Sequence, residues 1–159
     1  MYRDIEGKNV LDLGTGTGRL AIGTALLGAE RITGVDIDRA AIAVARENAR
    51  ATNVAVDWIV GNLETIQGRF DTVVMNPPFG TKRRHLDRTF LEKAISIAQI
   101  IYSIHKASTR EYILSYVERH GCRIHSVHEC SLEIPRMFKH HMKRRYSVKV
   151  DCYRIQSEL

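Results

Sequence analysis

Short apolar runs alternate along this chain with stretches whose apolar positions recur every three or four residues. Val10-Leu11-Asp12-Leu13 predicts a first strand and Leu20 to Leu27 a helix packed on it. Arg31 to Val35 predicts a second strand, Arg39 to Ala51 an Ala-rich helix, and Ala55 to Val60 a third strand. A short link with at most a turn of helix leads to a fourth strand, Phe70 to Met75. A helix follows from about Asp87 to Ala98, a fifth strand from Ile100 to His105, and a helix from Thr109 to His120. The tail, Cys122 to Leu132 and Ser147 to Ile155, predicts two strands around a long basic connection. Strands separated by helices argue for an α/β fold around a mostly parallel sheet with helices on both faces. The last two strands, with no helix between them, argue for an antiparallel hairpin at one edge, giving seven strands. No repeat, linker or low-complexity tract interrupts residues 1–159, which reads as one domain.

Successive predicted strands end in residues with chemistry. Asp12-Leu13-Gly14-Thr15-Gly16-Thr17-Gly18 lies between the first strand and the first helix. Glycines there let backbone approach a ligand, and the helix start offers free N–H groups. A dinucleotide fingerprint needs a glycine at position 19, where Arg19 stands, which counts against NAD or FAD. The GxGxG spacing resembles the S-adenosylmethionine loop of Rossmann-like methyltransferases, with Asp12, Gly14, Thr15, Gly16 and Gly18 around the cofactor. Asp36 closes the second strand, where a carboxylate can accept both ribose hydroxyls, with Ile37 beside it. Asp38 reads as the N-cap of the next helix. Asn62 and Leu63 follow the third strand. Methyltransferases of this class commonly carry Asp at the position of Asn62, bonding the adenine amino group of the cofactor. A turn residue is the other reading of Asn62.

Asn76-Pro77-Pro78-Phe79 follows the fourth strand. Two prolines can continue neither a helix nor a central ladder, and each holds the residue before it extended. The Asn76 amide oxygen and the Pro77 carbonyl can then point together at one planar amino group, with the Phe79 ring to stack on it. At the carboxyl end of a strand in an open α/β sheet, that is where ligands bind. The expected catalytic segment is therefore Asn76, Pro77, Pro78 and Phe79, with Asn76 also touching the cofactor.

Charge narrows the substrate. The net charge is +6, yet residues 1–75 hold 8 Lys/Arg against 10 Asp/Glu, and residues 76–159 hold 16 against 8. The basic excess lies wholly beyond Met75, which favours a polyanionic partner. Lys82, Arg83 and Arg84, with His85, follow Phe79; Arg136, Lys139, Lys143, Arg144 and Arg145 flank His140 and His141 in the last connection. His105 and Lys106 end the fifth strand on the same side. They are expected either to contact RNA or to order the pocket wall; a satisfied structural histidine is the other reading of His105. No zinc-like spacing accompanies the histidine pair, and no metal is expected. Cys122, Cys130 and Cys152 form no CxxC and are expected to be free, buried thiols. Trp58 is expected in the core or at an interface. No apolar run approaches the ~20 residues that span a bilayer. The mixed-charge start lacks an apolar signal core, so a cytoplasmic chain off the membrane is expected.

Over nearly its whole length the chain resembles the methyltransferase-like protein 5 family. The resemblance rests on Asn76-Pro77-Pro78-Phe79-Gly80-Thr81-Lys82, on His105-Lys106-Ala107-Ser108-Thr109-Arg110, and on Ile134-Pro135-Arg136-Met137-Phe138-Lys139 leading into Lys143-Arg144-Arg145. It implies a Rossmann-like class I methyltransferase fold, S-adenosyl-L-methionine as cofactor, and N6-methylation of adenine in small-subunit ribosomal RNA. It also implies a small zinc-ribbon activator protein docked on an edge strand; an unpartnered edge could instead support self-association. Family members carry a further segment, with a helix over the cofactor, before the first strand. Here Val10 already belongs to that strand, so a more open and weaker cofactor site is expected. Two alternatives stay open: N5-methylation of a protein glutamine, since an amide NH2 fits the same grip, and a non-catalytic RNA- or partner-binding module on the same fold.

Overall fold

The computed structural model describes residues 2–78, 86–135 and 145–159. Its centre is one seven-stranded sheet: β1 (Asn9–Leu13), β2 (Arg31–Asp36), β3 (Asp57–Val60), β4 (Phe70–Met75), β5 (Ala98–Lys106), β6 (Arg123–Pro135) and β7 (Arg145–Gln156). The strand order is β3-β2-β1-β4-β5-β7-β6, parallel from β3 to β5, with β7 antiparallel to both β5 and β6. The final hairpin thus inserts its second strand next to β5 and leaves β6 at the edge. Four helices, α1 (Arg19–Leu26), α2 (Arg39–Ala51), α3 (Leu86–Ile97) and α4 (Arg110–Arg119), connect the strands.

Local sequence sets the boundaries. Asp38 starts α2 by accepting a hydrogen bond from the Ala40 N–H at 2.8 Å, as an N-cap does. The central strands β1 and β4 are Val- and Leu-rich and almost fully buried, as expected where helices cover both faces. Leu11, Leu13, Val73, Met75 and Ile101 pack with Phe90, Leu91, Ala94, Ile113 and Val117 of α3 and α4 in the main core. The other face carries Val10, Asp12 and Val74 and meets α1. Farther along that face Asp4 takes hydrogen bonds from Tyr102 at 2.7 Å and Arg154 at 2.8 Å, pinning the first residues to β5 and β7.

The three thiols are free, but the expectation that they are buried does not hold. Cys130 is exposed, and Cys122 and Cys152 are half-buried, on or beside the hairpin at the edge of the sheet. Among the described residues no helix is long and apolar enough to cross a membrane, and no group of His, Cys, Asp and Glu is arranged to hold a metal.

Candidate active site

The register brings the chemical strand ends together. Leu13 is level with Val35 on one side and Met75 on the other, and Asp36 is level with Val60. Gly14, Asp36 and Asn76 therefore leave three adjacent strands at one height, with about 4.8 Å between neighbouring strands.

The glycine loop is built by its own backbone. Gly14, Gly16 and Gly18 have φ of +74°, +54° and +84°, a region that side chains disfavour. The N–H groups of Gly14 and Thr15 both donate to the Val35 carbonyl at 2.9 Å. The Gly16 N–H donates to Asp36 Oδ2 at 2.8 Å, and the Asp38 N–H to Asp36 Oδ1 at 2.9 Å. Each Asp36 oxygen keeps a lone pair for a further donor. Trp58 supports the loop from below. A Cβ at Gly34 would stand 2.6 Å from its ring, and one at Gly18 would stand 2.7 Å from it. Its place is thus in the packing under the loop.

Asp12 is 1% exposed and holds loop to helix with one oxygen: Oδ2 accepts from Thr15 Oγ1 at 2.5 Å and from the Ala21 N–H at 2.8 Å. Its Oδ1 is buried with no hydrogen-bond partner among the described residues. Burial, helped by the nearby Asp36 charge, raises the carboxyl pKa to about 6 despite the Thr15 and Ala21 bonds. An orphaned buried acceptor, a second carboxylate and a loop closed to side chains fit S-adenosylmethionine, which brings an ammonium group, ribose hydroxyls and a sulfonium. Asn62 is exposed and caps a short 3₁₀ turn, Leu63–Thr65, by accepting from the Glu64 N–H at 3.2 Å. The Leu63 side chain packs toward the core, while Ile37 is 74% exposed.

Asn76 is exposed, Pro77 buried and Pro78 exposed. Among the described residues no hydrogen bond engages the exposed Asn76 amide. Phe79, Lys82, Arg83, Arg84, Arg136, Lys139, Lys143 and Arg144 lie outside the described residues, as do His85, His140 and His141. Arg145 begins β7, level with Pro135.

The end of β5 requires a correction. His105 is 1% exposed, so it cannot touch RNA in this conformation. It lies in the layer of Ile101 and Ser103 rather than at the surface, because β7 and α4 cover it. Its Nε2 is 2.6 Å from Ser103 Oγ. Burial lowers its pKa to about 4, against the pull of Asp151, so the ring is neutral at physiological pH. Tyr153 meets it edge-on at 5.9 Å. Asp151, fully buried and level with His105, receives Arg110 Nε at 2.8 Å, Arg110 Nη2 at 2.6 Å and Tyr153 Oη at 3.0 Å. The Arg110 bonds hold its carboxyl below the usual range. Arg110 also reaches Glu129 on β6 at 2.6 Å. Lys106, half-buried, precedes the turn into α4. Sequence reasoning missed Ser103 and Asp151 in this cluster. Asp151 could have been found, since it shares the inward parity of Tyr153 and Ile155 along β7.

Residues 2–100 match the methyltransferase small domain model. An uncharacterized protein of Methanocaldococcus jannaschii is 39% identical, over 96% of this chain and 75% of its own. The rRNA N(6)-adenosine-methyltransferase METTL5 of Danio rerio is 36% identical, over 96% of this chain and 77% of its own. The crystal structure of a Pyrococcus horikoshii protein, provisionally assigned as an RNA methyltransferase, superposes with a TM-score of 0.89. It is 39% identical, over 98% of this chain and 78% of its own. With its glycine loop, its Asp36 and its Asn76-Pro77-Pro78 segment at the same end of such a sheet, the chain belongs to the METTL5 family of methyltransferases.

Proposed function

We propose that this chain methylates N6 of an adenine in RNA, with small-subunit ribosomal RNA as its substrate. The observation that carries the reading is the exposed Asn76 amide at the end of β4, one strand from the glycine loop and without a hydrogen bond among the described residues. The name of the zebrafish relative and the basic second half of the chain support RNA over protein.

When bound, S-adenosylmethionine supplies an already activated methyl group on its sulfonium. Asp12 Oδ1 would accept from the cofactor's ammonium, Asp36 from its ribose hydroxyls, and Asn62, with the Leu63 backbone, would border its adenine. The chain's task is to position the target nitrogen, a poor nucleophile because its lone pair is delocalised into the ring. Asn76 Oδ1 and the Pro77 carbonyl accept its two N–H bonds. This favours a tetrahedral nitrogen with its lone pair aimed at the methyl group, and both acceptors stabilise the positive charge that develops there. On accepting the methyl group the target nitrogen would carry a positive charge, which it would lose by releasing a proton to water. Phe79 stacks on the base, worth about 1–3 kcal/mol. Lys82, Arg83, Arg84, Lys106, Arg136, Lys139, Lys143, Arg144 and Arg145 neutralise phosphates.

The sheet edge supports a docked partner. On β3, Ile59 and Val60 are 40% and 41% exposed, beside the exposed Ile37. A small zinc-ribbon activator fits such an edge, and a second copy of the chain is the competing occupant. The reading places the enzyme in the cytoplasm, where ribosomal RNA is within reach. The test is methyl transfer to ribosomal RNA, with and without a zinc-ribbon partner, followed by mapping of the modified base. Asn76→Ala should abolish transfer while RNA binding persists. Transfer to a protein glutamine but to no RNA would overturn the reading.

A further inference from the structure

The buried His105 has no part in the transfer as written, yet it occupies a core position of the kind that apolar residues ordinarily fill. Its layer is otherwise Ile101, Ser103, Tyr153 and Ile155 on β5 and β7. Ser103 is fully buried as well. A hydroxyl and an imidazole thus share one 2.6 Å hydrogen bond inside the core. Either can donate, according to the tautomer.

The register ties that pair to the catalytic turn. Ser103 is level with Met75, the residue before Asn76. Asn76 precedes a proline and is held extended. The paired register ends there; Pro77 and His105, each two residues farther along its own segment, are both buried. The Pro77 carbonyl is one of the two acceptors of the target amino group, so its position depends on what lies beside it on β5.

We infer that His105 is a positioning residue for the Asn76-Pro77 acceptors, fixing the end of β5 beside them through its hydrogen bond with Ser103. The surroundings suit that role, because every neighbouring element limits the ring. Tyr153 of β7 stands edge-on to it, Asp151 of β7 is opposite, Arg110 of α4 grips Asp151, and Glu129 of β6 grips Arg110. A neutral ring accommodates this site better than a cation, since a charge there would be buried.

The inference deepens the methyltransferase reading above and rests on it, so the experiment separates the two. Ser103→Ala and His105→Leu remove the bond; His105→Gln keeps a polar atom near the position of Nε2. Steady-state transfer to ribosomal RNA, with cofactor affinity by calorimetry, should show kcat down about tenfold in the first two variants, since small misplacements of reacting groups cost rate. The RNA KM and cofactor Kd should stay within about twofold, and the double variant should be no worse than His105→Leu alone, because both act through one bond. His105→Gln should recover most of the rate. A purely structural role predicts lower thermal stability with kcat unchanged, and that result overturns the inference. If His105→Leu fails to fold, Ser103→Ala carries the test. If the wild-type chain transfers nothing to RNA, the functional reading falls. The Asn76 side-chain amide resonance, assigned by its loss in Asn76→Asp, then decides the inference. A shift in Ser103→Ala sustains it, and an unmoved resonance overturns it.

Discussion

Replacing Asp12 with Asn should make the cofactor-free protein more stable and the cofactor complex weaker, with a distinctive dependence on pH. The folded-state pKa of about 6 stands above the ordinary value of 3.8. Below about pH 4 the carboxyl is protonated in folded and unfolded chains alike and contributes nothing. As pH rises from 4 to 6 the unfolded chain ionises first, so stability is lost across that window. Above pH 6 the deficit is constant, about 3 kcal/mol from two pKa units at roughly 1.4 kcal/mol each. Asn cannot titrate, and its oxygen can take over the bonds from Thr15 and the Ala21 N–H. Its NH2 then occupies the place of the orphaned Oδ1, at a cost of about 1–2 kcal/mol for a buried donor without an acceptor. The variant should therefore be about 1–2 kcal/mol more stable than wild type at pH 7, and no more stable at pH 4. Cofactor binding loses a charge-assisted hydrogen bond worth about 1.5–3 kcal/mol, roughly a 10- to 100-fold weaker Kd. Urea titrations between pH 4 and 8, paired with calorimetric titration of S-adenosylmethionine at pH 7, measure both. A stability difference that does not widen with pH refutes the buried-charge argument. An unchanged Kd refutes the assignment of Oδ1 to the ammonium group.

Other consequences follow from packing and charge. Gly34→Ala should cost about 1–3 kcal/mol by driving a methyl into the Trp58 ring. Adding Trp58→Leu should recover part of that loss in a double-mutant cycle; additive effects would mean the ring is not the obstacle. Asp151→Asn should lower the urea midpoint at neutral pH. Arg110 depresses the Asp151 pKa, so its contribution is present above the unfolded carboxyl pKa and lost as pH falls through the lower folded one. The gap between wild type and variant should accordingly close in acid, and a gap independent of pH would contradict the ion pair. RNA binding should weaken with salt, with a log–log slope near −3.5 if about five basic side chains meet single-stranded phosphates; a flat response would point to a protein substrate.

Local signals in the sequence located α2 and β4 to the residue, because a capping Asp38 and a double proline punctuate them. Other boundaries moved by a few residues, most of all in the final hairpin. There β6 and β7 run to Pro135 and from Arg145, beyond the predicted Leu132 and Ser147. The glycine loop, Asp36 and Asn76 were legible because each is a residue type with a specific use at a strand end. The surroundings of His105 were not, since they depend on β7 entering between β5 and β6. That is a non-sequential pairing invisible within either strand. Trp58 was ambiguous for a similar reason: what it covers, Gly18 and Gly34, is distant in sequence.

β7 pairs with β5 only from Val150 to Gln156, but with β6 from Arg145 onward. Beyond Val150 the hairpin is thus a ribbon of two strands leaning out past the sheet, and a two-stranded ribbon twists more freely than a wider sheet. Its bearing is decided at the root, where Arg110 joins Glu129 of one strand to Asp151 of the other. The arrangement works like a crane whose boom is aimed by its turntable. A change at Arg110 should alter the bearing of the ribbon while every lysine and arginine of the connection between its strands is intact. Variants that lose RNA affinity without losing a positive charge from that connection are therefore to be sought at the foot of the ribbon.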